Sequence, residues 1–258
     1  QVFRLPNRMR INWDKYFFSK INELIIKQIN TYQPELVTIY NSEYFLPQTC
    51  RFIKDKGIKL VFFLGDSPFY TPQNKYFLYI LSYADLIISP DSFWNQQLKT
   101  LGFKNVQYFV PGIDNKSYYK IPEENLSLFT SIPSHELLYV GMNYVDSWGL
   151  KKAMFMNSLL PSNLHIYGSK HWMRWFEIFP ELKKHFTLSG FIPTEKLNIM
   201  FNKAKIIPID GNPGLLNGFH LRLIEALGSG TFPLAEYRKD INNEFFKDSD
   251  VKIPMIHN

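Results

Sequence analysis

Apolar residues along this chain follow two alternating rhythms. Between residues 14 and 33 they recur at Phe18, Ile21, Leu24, Ile25 and Ile29, the stripe of an amphipathic helix. Short runs rich in β-branched and aromatic residues come next: ELVTIY at 35–40, IKLVFFL at 58–64, DLIIS at 85–89 and VQYFV at 106–110. A helix-length stretch separates each run from the last, which predicts a parallel sheet joined by right-handed crossovers. The rhythm breaks at 112–135, a polar stretch with two prolines and no sustained period, read as an inter-domain linker. It then restarts, with strands expected at 136–140, 164–167, 186–188, 205–209, 231–235 and 251–253. Helices are expected at 149–159, 171–178, 194–203 and 218–228. The fold class is therefore α/β, with two Rossmann-like domains at 1–125 and 126–258. Ligands of such sheets bind beyond the carboxyl ends of the strands, and two facing units would create a cleft.

Composition narrows this picture only slightly. At 258 residues, 45% hydrophobic and 20% charged, the chain can bury two modest cores. The net charge of +6 favours anionic partners, but the Lys and Arg residues are scattered. That pattern argues against a nucleic-acid groove and leaves room only for peripheral membrane contact. A single cysteine, Cys50, excludes an internal disulfide and a cysteine-based zinc site, and fits a reducing, cytoplasmic setting. No apolar run reaches the length of a membrane span, and no signal-peptide pattern opens the chain. The chain starts without Met and reads as a fragment.

The stretch 206–234, IIPIDGNPGLLNGFHLRLIEALGSGTFPL, carries the chemistry. A buried strand runs into a glycine-containing loop, and Asn217 stands where it would cap a helix. The free N–H groups of Gly218, Phe219 and His220 would then meet a diphosphate at the positive end of that helix. An ordinary capped helix is the alternative. The histidines lack zinc-site spacing, and no metal site is expected. Neither a Gly-x-Ser-x-Gly elbow nor a Walker loop is present, and a dehydrogenase Gly-x-Gly-x-x-Gly turn is also missing.

The run from Gly218 through Arg222 and Glu225 to Gly230 resembles the donor-site motif of GT-B glycosyltransferases, in the branch of spore-maturation CgeB-like proteins. Tyr139-Val140-Gly141, His165-Ile166-Tyr167-Gly168 and Ser189-Gly190-Phe191-Ile192-Pro193 agree with that branch in order and spacing, as do turns near Asp66, Asp91 and Asp114. The likeness covers about residues 20–250. It implies a GT-B fold, here without the first N-terminal strand and the terminal crossover helix. It also implies a glycosyltransferase that needs no cofactor or metal. The co-substrate would be a nucleotide-diphosphate sugar, and the acceptor a protein, glycan or small molecule. A catalytically inert GT-B module that binds nucleotide or glycan is the competing reading.

Roles follow from the resemblance, each with a plainer alternative. Glu225 would accept both vicinal ribose hydroxyls, or else only pair with Arg222 three residues earlier. Arg222 would orient Glu225 or reach a phosphate. Lys151 and Lys152, after the Gly141 loop, would stabilise the departing diphosphate, or be a solvated helix face. Tyr167-Gly168 and Phe191-Ile192 would hold base and phosphates, or be plain turns. Asp66 is the candidate acceptor-side carboxylate, with a helix cap as its alternative. Asn217 stands eight residues before Glu225, where many retaining GT-B enzymes carry a Glu. It is expected to cap the helix and anchor the donor loop rather than act as a carboxylate.

Overall fold

The structure, a computed structural model, describes residues 7–41, 44–69, 76–110, 112–212 and 214–256. In its first part a long helix, α1 (Asn7–Tyr32), precedes four strands: β1 (Leu36–Tyr40), β2 (Lys59–Phe63), β3 (Leu86–Ser89) and β4 (Val106–Tyr108). All pair in parallel, in sequence order. Their connections carry α2 (Pro47–Asp55), α3 (Phe77–Leu81) and α4 (Ser92–Thr100). Every crossover steps the same way, so right-handedness puts these helices on one face. Burial agrees: Ile39, Leu60, Phe62, Leu64, Ile87 and Val106 are buried, whereas Leu36, Tyr40 and Phe109 on the other face are 52%, 63% and 51% exposed. Asp91, itself buried, starts α4 by accepting from the N–H groups of Phe93 (2.8 Å) and Trp94 (3.1 Å).

The second part opens with a strap over 112–122 and a short helix, α5 (Glu123–Leu126). Six parallel strands follow: β5 (His135–Val140), β6 (Leu164–Gly168), β7 (Phe186–Leu188), β8 (Ala204–Ile209), β9 (Phe232–Glu236) and β10 (Met255–Ile256). Their spatial order is β10-β9-β8-β5-β6-β7. The chain therefore builds outward from β5 to β7, then returns through α7 (Thr194–Asn202) and builds the other way. Such a reversal puts helices on both faces. One face packs α6 (Ser147–Ser158), Trp172, Trp175 and Leu182 against Leu137, Tyr139, Leu164 and Ile166. The opposite face packs α7 and α8 (Arg222–Gly228) against Leu138, Ile207, Ile209 and Ala235.

Four details differ from expectation. The compact units divide between Phe109 and Val110 rather than at 125. The reason is that the strap belongs to the second unit, where Asn202 accepts from Ile121 N–H at 2.8 Å and donates to the Tyr119 carbonyl at 3.0 Å. Residues Lys170–Glu177 form a 3-10 helix, whose three residues per turn bring Trp172 and Trp175 onto one buried face. The last strand is Met255–Ile256 rather than 251–253, because Ala235 N–H bonds the Pro254 carbonyl and fixes the register there. The helix expected at 218–228 begins only at Arg222.

Candidate functional site

Where a parallel sheet reverses its strand order, loops diverge from the strand ends and leave a crevice. In the second unit that reversal lies between β5 and β8, and a cavity of about 520 Å³ opens beside it. Val140, Gly141 and Met142 line it from the end of β5, Gly168 and Ser169 from β6, and Ser189 to Ile192 from β7. Arg222 and Glu225 reach it from α8, and Tyr118 from the strap. Gly168 has a steric reason: a Cβ there would lie 2.3 Å from Trp172 Cδ1 and 2.8 Å from the Gly141 carbonyl. Trp172 itself donates from Nε1 to that carbonyl at 2.9 Å, so a fully buried indole ties the two glycine turns together. Phe191 is 90% exposed, an aromatic face presented to the cavity mouth.

Arg222 and Glu225 pair at 2.7 Å, the i,i+3 spacing of the helix that carries them. Arg222 also lies over the Phe201 ring, 5.4 Å from its centroid. Arg222, Glu225, Gly141, Tyr167, Gly168, Phe191 and Ile192 are thus brought together around one cavity. Asn217, Gly218, Phe219 and His220 are not among its lining residues. The late start of α8 explains this. Its N-cap position is Leu221, without a side-chain cap, so Asn217 does not cap the helix. Instead the Asn217 carbonyl accepts from Asp240 N–H at 3.0 Å, an anchor between the loop and the turn after β9. Gly218 is buried, and Phe219 packs in the core against Phe245. His220 Nδ1 accepts the Arg222 N–H at 3.0 Å, the role expected of Asn217 passing to an imidazole.

Lys151 and Lys152 also lie outside the cavity lining, each held by a carboxylate. Lys152 pairs with Asp210 at 3.2 Å, donates to the Met142 carbonyl at 3.1 Å, and lies over the Tyr144 and Tyr139 rings. Tyr139 donates to Asp210 at 2.8 Å. Burial pushes the Asp210 carboxyl up, but the Lys152 charge, the neighbouring His220 and the Tyr139 bond outweigh it and leave a net downward shift. Burial drives His220 down to about 4 despite the opposing Asp210 charge. Lys151 pairs with the buried Glu236, which also accepts from Gly211 N–H at 2.7 Å. Lys151 and Lys152 thus each belong to an ion-pair network along the carboxyl edge of the sheet.

In the first unit, Asp66 follows β2 and is exposed. It accepts from Asn41 Nδ2 at 2.7 Å, while Asn41 Oδ1 accepts from the N–H groups of Gly65 and Asp66. Among the described residues Asp66 caps no helix. Sequence reasoning missed Tyr118, Asp210, Tyr139, Glu236 and Asn41. Asp210, Glu236 and Asn41 sit at or just past strand ends, a positional signal that could have found them. Tyr118 offered none, since it falls in a stretch read as linker.

No protein-family model matches the sequence, and no curated protein matches it. Solved structures do resemble it. A sucrose-phosphate synthase from Thermosynechococcus elongatus superposes with a TM-score of 0.63 at 14% identity, over 89% of this chain and 62% of that one. The Anabaena protein HepE, solved with UDP, gives 0.60 at 12% identity, over 91% of this chain and 68% of that one. A UDP-GlcNAc 2-epimerase from Methanocaldococcus jannaschii gives 0.52 at 12% identity, over 92% and 71%. The fold is GT-B, two parallel-sheet α/β units. The chain spans about three-fifths of the length of the synthase.

Proposed function

We propose that this chain moves a sugar from a nucleotide-diphosphate donor to a hydroxyl acceptor, as its likeness to the CgeB-like branch implies. The observation that carries the reading is the cavity at the ends of β5 to β7, where the Arg222–Glu225 pair meets two glycine turns and an exposed aromatic. A carboxylate there accepts the two ribose hydroxyls, the form of charge-assisted bonding that orients a nucleoside. Phe191 and the Ser189–Ile192 backbone receive the base. The backbone N–H groups after Gly141 and Gly168, with Arg222, meet the phosphates. Stabilising the charge that builds on a departing diphosphate is how such a site speeds transfer, and these donors do so without a metal in this proposal. Asp66, held by Asn41, serves the acceptor side, and protein, glycan and small-molecule hydroxyls all fit that role.

A second reading, a module that binds nucleotide without transfer, has one specific observation in its favour. Both candidate lysines are committed to Asp210 and Glu236, which leaves Arg222 as the cation lining the cavity among the described residues. Calorimetric titration of UDP, GDP, ADP and their sugars, with product analysis under chelation, separates the readings. Saturable binding that Glu225→Gln weakens by about 1.5–3 kcal/mol supports the site. Release of nucleoside diphosphate from a donor sugar supports transfer, and binding with no turnover supports the module. Retained affinity in the Glu225 variant would sink the ribose role.

A further inference from the structure

The rim of the cavity just after β5 is held by its carbonyl groups. Two successive carbonyls, those of Gly141 and Met142, each accept from a side chain drawn from elsewhere in the unit. Trp172 Nε1 donates to the first at 2.9 Å and Lys152 Nζ to the second at 3.1 Å. A peptide unit is planar and trans, so its N–H points opposite to its C=O. The N–H groups of Met142 and Asn143 therefore turn away from Trp172 and Lys152. Met142 N–H has no hydrogen-bond partner among the described residues, and Asn143 N–H has only a long 3.5 Å contact with Ser169 Oγ. Asn143 Nδ2, buried and without a partner, adds a third unused donor at this turn. Met142 and Ser169 both line the cavity, and successive backbone N–H groups left open in this way suit an anion.

Lys152 is itself held from three sides. Its side chain is 10% exposed, 3.2 Å from Asp210, and lies over the Tyr144 and Tyr139 rings at 5.0 and 5.8 Å. An ammonium this far from water keeps its place only with an opposite charge beside it. Asp210 supplies that charge and is fixed in turn by the Tyr139 hydroxyl at 2.8 Å. Tyr139 is buried in the core, edge-on to Trp172 with ring centroids 5.6 Å apart. Both ties on the rim therefore start from one packed unit. Trp172 reaches the Gly141 carbonyl directly, and Tyr139 reaches the Met142 carbonyl through Asp210 and Lys152. Gly141 fits tightly between them: a Cβ there would lie 2.9 Å from the Tyr139 hydroxyl.

We infer that Asp210 is a positioning residue of the phosphate site: through Lys152 it sets the Gly141–Asn143 turn so that two backbone N–H groups meet the diphosphate. The inference rests on the nucleotide reading of this cavity and adds to it a residue that never touches the ligand. Lys152 then works through the Met142 carbonyl, not by contact with a phosphate. The physical reason is preorganisation, since donors fixed in advance meet a charge without having to turn toward it. A turn released from Lys152 must be ordered by the ligand itself, and that ordering weakens binding. The effect falls on the phosphates alone, because in this reading base and ribose are held at Phe191 and Glu225.

The test uses the full chain with UDP, ADP and GDP, each set against its own nucleoside. Calorimetry serves the diphosphates and ligand-observed NMR the weaker nucleosides. The unaltered chain should favour the diphosphate member. Asp210→Asn keeps an acceptor for Tyr139 but removes the charge that holds Lys152. The diphosphate preference should then fall about tenfold, with nucleoside affinity unchanged. Lys152→Met should lower it as far, and the double variant no further than either single one. A preference that holds or rises in Asp210→Asn overturns the inference, a rise meaning that the freed lysine meets the phosphate itself. Equal losses of diphosphate and nucleoside affinity overturn it too, as does a deeper loss in the double variant. Should Asp210→Asn fail to fold, Tyr139→Phe decides, since it removes one bond from Asp210 and keeps the ring. Its preference should fall about threefold, and an unchanged one overturns the inference. An unaltered chain that binds both members equally overturns the inference alone; no binding of any pair overturns the nucleotide reading as well.

Discussion

The two parallel sheets of this molecule are covered differently. The four strands of the first unit add in sequence order, so their helices collect on one face and leave Leu36, Tyr40 and Phe109 about half exposed or more on the other. The six strands of the second unit reverse direction at β5 and β8, and both faces are packed. The difference teaches that strand order, more than strand composition, decides where a parallel sheet is protected. Reversal does two things at once: it buries both faces, and it parts the loops at the carboxyl edge to leave a cavity. The first unit has no reversal among its described strands, and its carboxyl edge carries the exposed Asn41–Asp66 pair.

The largest expected effect breaks the packed side of this contrast. Trp172→Ala removes a fully buried indole and its bond to the Gly141 carbonyl. Urea titration followed for each unit should show the second unit losing about 3–5 kcal/mol and the first unit unmoved. A loss below about 1 kcal/mol would mean that this face is not packed as described.

Acid should separate the units next. The folded second unit keeps His220 deprotonated down to about pH 4, while the unfolded chain takes up that proton near 6.5. The unfolded state therefore binds more protons in this window, and stability is complete above about 6.5 and falls as pH drops toward 4. His220 contributes up to about 3 kcal/mol to that slope. Burial holds His135 and His165 below their ordinary values too, so their contribution has the same sign. His220→Asn keeps an acceptor for Arg222 N–H and removes one titration. Melting curves from pH 7.5 to 4 should be shallower for this variant, and identical slopes would refute the His220 contribution.

The smallest effect, that of Leu36→Thr set against a covered-face control, sharpens the contrast within one sheet. Leu60→Ala, on the covered face, should cost about 2–5 kcal/mol, whereas Leu36→Thr, on the open face, should change stability by no more than about 0.5 kcal/mol. Equal costs measured by denaturant titration would show that the open face is covered.

Much of this was legible in the amino-acid order because it depends on neighbours along the chain. Runs such as LVFFL and HIYG alternate or cluster as buried strands do, and nine of the ten strands among the described residues fall within a residue or two of their expected limits. The turns Gly141, Gly168 and Phe191-Ile192 and the Arg222–Glu225 spacing were also visible, since strand ends and helical i,i+3 pairs are local features. What failed was decided by contacts between distant segments. Asn217 has the chemistry of a cap, but its loop is tied to Asp240, and the helix starts four residues later than expected. Lys151 and Lys152 look like free cations on a helix, and only the fold brings Glu236 and Asp210 against them. Tyr118 reads as linker until Asn198, Asn202 and a glycine at 228 draw it onto the cavity. The sequence by itself determined the elements and the local motif, because propensity and periodicity act over a few residues. Tertiary structure alone decided which charges were paired and which walls closed the site, because ion pairs and packing form between residues whose separation in the chain carries no signal.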